Sequence, residues 1–140
     1  EGRGERLTSL DLRPATYALI WPQVHVSTQE IFADPGLTRD TKATKMADFS
    51  ARASADLAPL PGANDLQGVA VRRDPVIGQA LAHLRRFADN GTARMTGSGS
   101  AVFAVADTAT AAAATAQLPR EWQGWAVKGL QQHPLRAWLD

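Results

Sequence analysis

One stretch constrains the fold more than any other. Ala93-Arg94-Met95-Thr96 is followed by Gly97-Ser98-Gly99-Ser100 and then by Ala101-Val102-Phe103-Ala104-Val105-Ala106. Two apolar runs around a tight Gly/Ser segment read as strand, loop, strand, so the chain commits to a sheet here. Within Thr96-Gly97-Ser98-Gly99-Ser100, the glycines let the backbone take positive φ and bring N–H groups close to a ligand, and the hydroxyls add donors. Such a loop can cradle phosphate. It is not a Walker A motif, since no Gly-Lys-Ser/Thr follows, nor a Rossmann fingerprint, since no helix follows directly. A hairpin turn that simply needs glycine has the same composition. Spacing leaves both readings open.

The flanking segments set the fold class. Tyr17-Ala18-Leu19-Ile20-Trp21, between Pro14 and Pro22, predicts a buried strand, and Leu7 to Arg13 alternates loosely. Ser27-Thr28 before Gln29-Glu30-Ile31-Phe32 marks a short helix start, stopped by Asp34-Pro35-Gly36. Thr41 to Arg52 is expected to be helical with Ala43, Met46 and Ala47 inward, and Asp56 to Ala63 to be a surface loop. Asn64-Asp65 can cap a short helix through Val71. The clearest helix has Asp74 as cap, Pro75 at its first position and Ile77, Ala80, Leu81, Leu84 and Ala88 on one face, with Asn90-Gly91 as a left-handed stop. Thr108 to Leu118 is an alanine-dominated helix ended by Pro119. Trp125 to Lys128 is a last strand, and His133 to Leu139 a last helical turn or two. The expected class is α+β: a layered domain with a largely antiparallel sheet covered by helices.

Composition narrows the function. At 140 residues and 44% hydrophobic content, residues 1–140 fit a single domain with a real core. A net charge of +1 gives no nucleic-acid footprint. No cysteine is present, so disulfides, thiolate metal sites and cysteine nucleophiles are excluded. The longest apolar run, Ala101 to Ala106, is far short of a membrane span. A soluble, cytoplasmic protein is expected. The glycine-rich, charged opening Glu1-Gly2-Arg3-Gly4-Glu5-Arg6 reads as a continuation of something upstream. His25, His83 and His133 form no metal-ligand pattern, and His83, beside Arg85 and Arg86, is expected on a solvated face. Lys42 and Lys45 read as a solvated helix face, and Trp122 and Trp125 as core and boundary packing. Ser27-Thr28 and Asn64-Asp65 can each contact a ligand or cap a helix. No serine–histidine–acid order or carboxylate pair stands out.

Several pieces, in order along the whole chain, carry a resemblance. They are Gly4-Glu5-Arg6-Leu7-Thr8, Val26-Ser27-Thr28-Gln29-Glu30-Ile31-Phe32, Ala63-Asn64-Asp65-Leu66, the Ala93 to Phe103 segment, and the ending Ala126-Val127-Lys128-Gly129 with His133-Pro134-Leu135. Together they resemble the C-terminal portion of the 4-diphosphocytidyl-2-C-methyl-D-erythritol kinases of the GHMP superfamily. The glycine loop is shared superfamily-wide; the Ser27-Thr28 to Phe32 segment and the ending point to this family.

The resemblance implies a two-lobed enzyme using ATP and Mg2+. It would transfer the γ-phosphoryl group to a hydroxyl of 4-diphosphocytidyl-2-C-methyl-D-erythritol, in the non-mevalonate route to isoprenoid precursors. It implies that Thr28 and Phe32 lie against the methylerythritol-phosphate end of the substrate, and that Gly97, Ser98 and Gly99 line the cleft near the phosphates. One departure is Gln23, in Trp21-Pro22-Gln23-Val24-His25, where the resemblance leads us to expect glycine. The family's ATP loop, catalytic aspartate and N-terminal lysine have no counterpart here, so an N-terminal lobe is expected as partner, no catalytic residue falls in this chain, and the chain alone is expected to be inactive. The face that meets that lobe would then be exposed. Two alternatives stand beside this reading: a non-enzymatic module that binds a phosphorylated metabolite through the glycine loop, and another GHMP kinase, of the mevalonate or homoserine type.

Overall fold

The computed structural model describes residues 14–42, 62–88, 92–130 and 134–135. Among them the chain runs β1 (Thr16–Trp21), α1 (Thr28–Ala33), α2 (Asp65–Arg73), α3 (Pro75–Arg85), β2 (Arg94–Met95), β3 (Val102–Ala106), α4 (Thr108–Ala116) and β4 (Gln123–Lys128). The strands form one antiparallel sheet in the order β2-β3-β1-β4, which is the expected α+β class. The Gly/Ser segment joins β2 to β3, as the two apolar runs predict. Thr41 and Lys42 are not helical. The rest of the helix expected to Arg52 lies outside the described residues, as do the Leu7 to Arg13 run and the Asn90-Gly91 stop. Pro134 and Leu135 sit in a 3₁₀ turn. No described helix is long and apolar enough to cross a membrane.

Strand alternation divides the sheet into two faces. Ala18, Ile20, Val102 and Ala104 are buried on the inner face, with Ile20 opposite Val102 on one side and Gly124 on the other. Helix α3 covers β3 there, and α4 covers β1 and β4. Helix α4 can lie close because its inward residues are Ala111 and Ala114 and because β4 offers a glycine. A Cβ at Gly124 would stand 2.5 Å from Leu118 Cδ1 and 3.1 Å from Thr115 Cβ. The outer face is also apolar: Leu19 stands between Phe103 and Trp125, and Tyr17 between Val105 and Val127. Arg94 crosses the Phe103 ring, its guanidinium carbon 5.4 Å from the centroid. Of the two tryptophans expected in core and boundary packing, Trp122 is half-buried against the core and Trp125 is 42% exposed on this face.

Each of the four helices among the described residues starts on a side-chain cap, which satisfies an otherwise orphaned N–H. Ser27 Oγ accepts from Glu30 N at 3.3 Å, Asn64 Oδ1 from Leu66 N at 3.0 Å, Asp74 Oδ1 from Val76 N at 3.0 Å and Asp107 Oδ1 from Thr110 N at 2.8 Å. Helix α3 buries Ile77, Ala80, Leu81 and Leu84 as its periodicity predicts, and also His83. That residue is not on a solvated face: it is 8% exposed, with Nε2 2.9 Å from the Ala114 carbonyl and Nδ1 2.7 Å from Arg86 Nη2. A guanidinium only donates, so Nδ1 accepts and Nε2 carries the proton given to Ala114 O. Ala114 lies in the last turn of α4, where carbonyls lack intrahelical partners, so the polar ring has a reason to turn inward.

Candidate functional site

The loop between β2 and β3 is held from several sides. Thr96 N donates to Ala101 O at 3.0 Å and Gly99 N to Thr96 O at 3.1 Å, closing the turn. Ser100 is buried, and its hydroxyl donates to Val24 O at 2.7 Å. Asn64 Nδ2 lies 2.8 Å from both Met95 O and Gly97 O. Gln67 Oε1 accepts from Met95 N at 2.8 Å. Among the described residues the N–H groups of Gly97 and Ser98 have no hydrogen-bond partner. Two successive free donors in a turn with a left-handed residue form a nest of the kind that holds anionic oxygens.

The two glycines differ in what surrounds them. Gly97 has φ 56 and Gly99 φ 98, both left-handed. A Cβ added at Gly97 meets nothing within 4 Å, whereas one at Gly99 would stand 2.7 Å from Met95 Sδ. Gly97 therefore faces open space, and Gly99 backs onto the core.

Helix α1 brings the second part of the site. Thr28 Oγ1 lies 2.7 Å from Ser98 Oγ, joining the first turn of α1 to the glycine loop. Phe32, 56% exposed, shares with Gly97 an open pocket of about 570 Å3 lined also by Leu37, Arg39, Asn64 and Leu66. Thr28, Phe32, Gly97 and Ser98 thus come together from segments about 70 residues apart in the chain. Thr96 is exposed beside them, while Ser100 is turned inward and serves the loop rather than its open side. Gln23 has φ 58, so this position does need left-handed backbone, where glycine is the easy choice. Gln23 holds it instead with Nε2 donating to Glu121 O at 2.6 Å.

A six-residue helix is too short to stand alone, and α1 is tied to α2 by charge. Arg73 Nη1 reaches Glu30 Oε2 at 2.7 Å and Arg73 Nε reaches Asp34 Oδ2 at 3.2 Å, while Arg72 Nη2 lies 3.5 Å from Asp34 Oδ1. The Gly36 N–H on Asp34, followed by the Arg73 and Arg72 guanidinium groups, holds this carboxyl below the ordinary carboxylate range. Arg39 closes the helix, donating to Phe32 O at 2.6 Å and to Leu37 O at 3.2 Å. Arg39, Arg72 and Arg73 are not marked by any sequence motif. Their partners lie up to 43 residues away, so only the fold reveals them.

Mg2+ is bound through one or two carboxylates and substrate phosphates in octahedral oxygen geometry. Among the described residues Asp65 is the one carboxylate lining the pocket, and no three His, Cys, Asp or Glu side chains come together. One lining carboxylate is too few protein donors to hold a resident metal without substrate phosphates.

Residues 46–124 match the family described as GHMP kinases C terminal. The chain is 50% identical over 136 residues to a 4-diphosphocytidyl-2-C-methyl-D-erythritol kinase from Ralstonia nicotianae, covering 96% of this chain and 45% of that protein. It is 45% identical over 140 residues to the kinase of the same name from Aromatoleum aromaticum, covering 99% of this chain and 45% of the relative. A crystal structure of 4-(cytidine 5'-diphospho)-2C-methyl-D-erythritol kinase superposes with a TM-score of 0.68 at 26% identity, over 91% of this chain and 47% of that one. The chain spans a little under half the length of these relatives.

Proposed function

This chain belongs to the C-terminal family of GHMP kinases, and on that premise we propose that residues 1–140 form one domain, the substrate-side lobe of a 4-diphosphocytidyl-2-C-methyl-D-erythritol kinase. The observation that carries the proposal is the contact of Thr28 with Ser98 in the glycine loop, whose Gly97 shares a pocket with Phe32 and whose Gly97 and Ser98 N–H groups are free among the described residues. Phosphoryl transfer needs positioning and charge stabilisation more than covalent help from the protein. Donors fixed in a nest supply that, and a hydroxyl beside an exposed aromatic ring orients a polyol. ATP with Mg2+ is the phosphoryl donor of the whole enzyme. The ATP loop, the base and the metal contacts belong to an N-terminal lobe outside this chain. The whole enzyme is cytoplasmic and acts on a small-molecule substrate.

A substrate panel on the full-length kinase containing this chain tests the assignment. Turnover is expected with 4-diphosphocytidyl-2-C-methyl-D-erythritol and not with mevalonate or homoserine. Thr28→Val and Phe32→Ala are expected to raise KM for that alcohol by roughly tenfold, the size of one lost hydrogen bond or apolar contact, with KM for ATP unchanged. Preference for mevalonate or homoserine, or unaltered KM in both variants, contradicts it.

A further inference from the structure

We propose that Asn64 is a positioning residue for the glycine loop, holding back two of its carbonyls so that the N–H groups of Gly97 and Ser98 stay free for an anionic oxygen. The inference rests on the reading of this loop as a phosphate cradle. A carboxamide has one acceptor oxygen and an NH2 group with two donors. In Asn64 the oxygen accepts from Leu66 N at 3.0 Å, and the nitrogen reaches Met95 O and Gly97 O, both at 2.8 Å. The two carbonyls flank Thr96, where the chain leaves β2 for the turn.

The cap alone does not require this residue. Asp and Ser cap helices as well as Asn does, and neither carries amide donors. What only a carboxamide supplies here is the pair of bonds to the loop, 31 and 33 residues away. Asn64 also lines the pocket, yet both its donors are engaged by the Met95 and Gly97 carbonyls, so it acts through the backbone rather than on the ligand. Its third neighbour in the arrangement, Gln67, accepts from Met95 N on the next turn of α2 and reinforces the same hold. A nest is useful only while its donors keep their aim, and small misplacements in such sites cost on the order of 100-fold in rate.

Asn64→Ser and Asn64→Asp in the full-length kinase separate the cap from the loop, because both keep an acceptor for Leu66 N–H and lose the amide donors. The expected result is a kcat lower by on the order of 100-fold, with KM for both substrates and the melting temperature close to wild type. Asn64→Ser, which adds no charge against the two carbonyls, is the deciding variant. A wild-type kcat in Asn64→Ser, or a loss of activity that merely follows a loss of folded protein, overturns the inference. Amide resonances give a second readout that does not depend on turnover. Gly97 and Ser98 are expected to shift when inorganic pyrophosphate is added to wild type and to lose that response in Asn64→Ser. Equal responses, or none in wild type, overturn the inference. A wild-type enzyme that turns nothing over while the pyrophosphate response behaves as expected removes the kinase reading and leaves the positioning role standing.

Discussion

Gly97 and Gly99 look equivalent in the sequence and are not equivalent in the fold. A side chain at Gly97 enters open space, so Gly97→Val costs the left-handed strain of about 1–2 kcal/mol and leaves the protein folded. A side chain there occupies the open space beside the loop, and activity of the full-length kinase is expected to fall on the order of 100-fold. Gly99→Ala meets Met95 Sδ at 2.7 Å in addition to a φ of 98, and is expected to act chiefly on stability. Denaturant melts beside steady-state kinetics separate the two; near-normal kinetics for Gly97→Val would remove the loop from the mechanism. His83 teaches the opposite lesson. Its charged neighbours Arg85 and Arg86 suggest a solvated face, but its position between Ala80 and Leu84 on the helix decides the matter, and Ala114 O supplies the partner that burial demands.

At the scale of elements, what was legible in the sequence is what local chemistry controls. The caps at Ser27, Asn64 and Asp74, Pro75 at a first helical position and the Gly/Ser turn each show in a few consecutive residues. Thr28, Phe32, Gly97 and Ser98 were named through resemblance, and the fold brings them together. The clamp between α1 and α2 was not legible, because Arg73 meets Glu30 and Asp34 across 43 and 39 residues and no periodicity announces it. Asn64 was half legible: its cap is local, its bonds to the loop are not. The clamp carries a pH prediction. Asp34 is held below the ordinary carboxylate value of about 3.9, so its stabilising contribution is complete above that value. It is lost as pH falls through the lower, folded-state value. Stability measured by denaturant at several pH values should therefore show Asp34→Asn less stable than wild type at neutral pH, with the gap closing as pH drops below about 4. A gap independent of pH would contradict the clamp.

Over the whole molecule, one face of the sheet is covered by α3 and α4, and the other presents Trp21, Trp125 and Val127, each around 40% exposed, beside Leu19 and Phe103. Apolar patches of this kind promote association. Sedimentation of the 140-residue chain is expected to show species heavier than a monomer at high concentration, and a clean monomer throughout would argue against that. The chain covers about 45% of the length of its kinase relatives, and the proposal places the ATP loop and catalytic base in the remainder. ADP release with Mg·ATP and 4-diphosphocytidyl-2-C-methyl-D-erythritol, from this chain alone and from the same chain joined to its N-terminal lobe, tests that division directly. The account predicts no release from the chain alone and turnover from the joined protein. Turnover by the chain alone would contradict it, and silence in both would favour a phosphate-binding module instead.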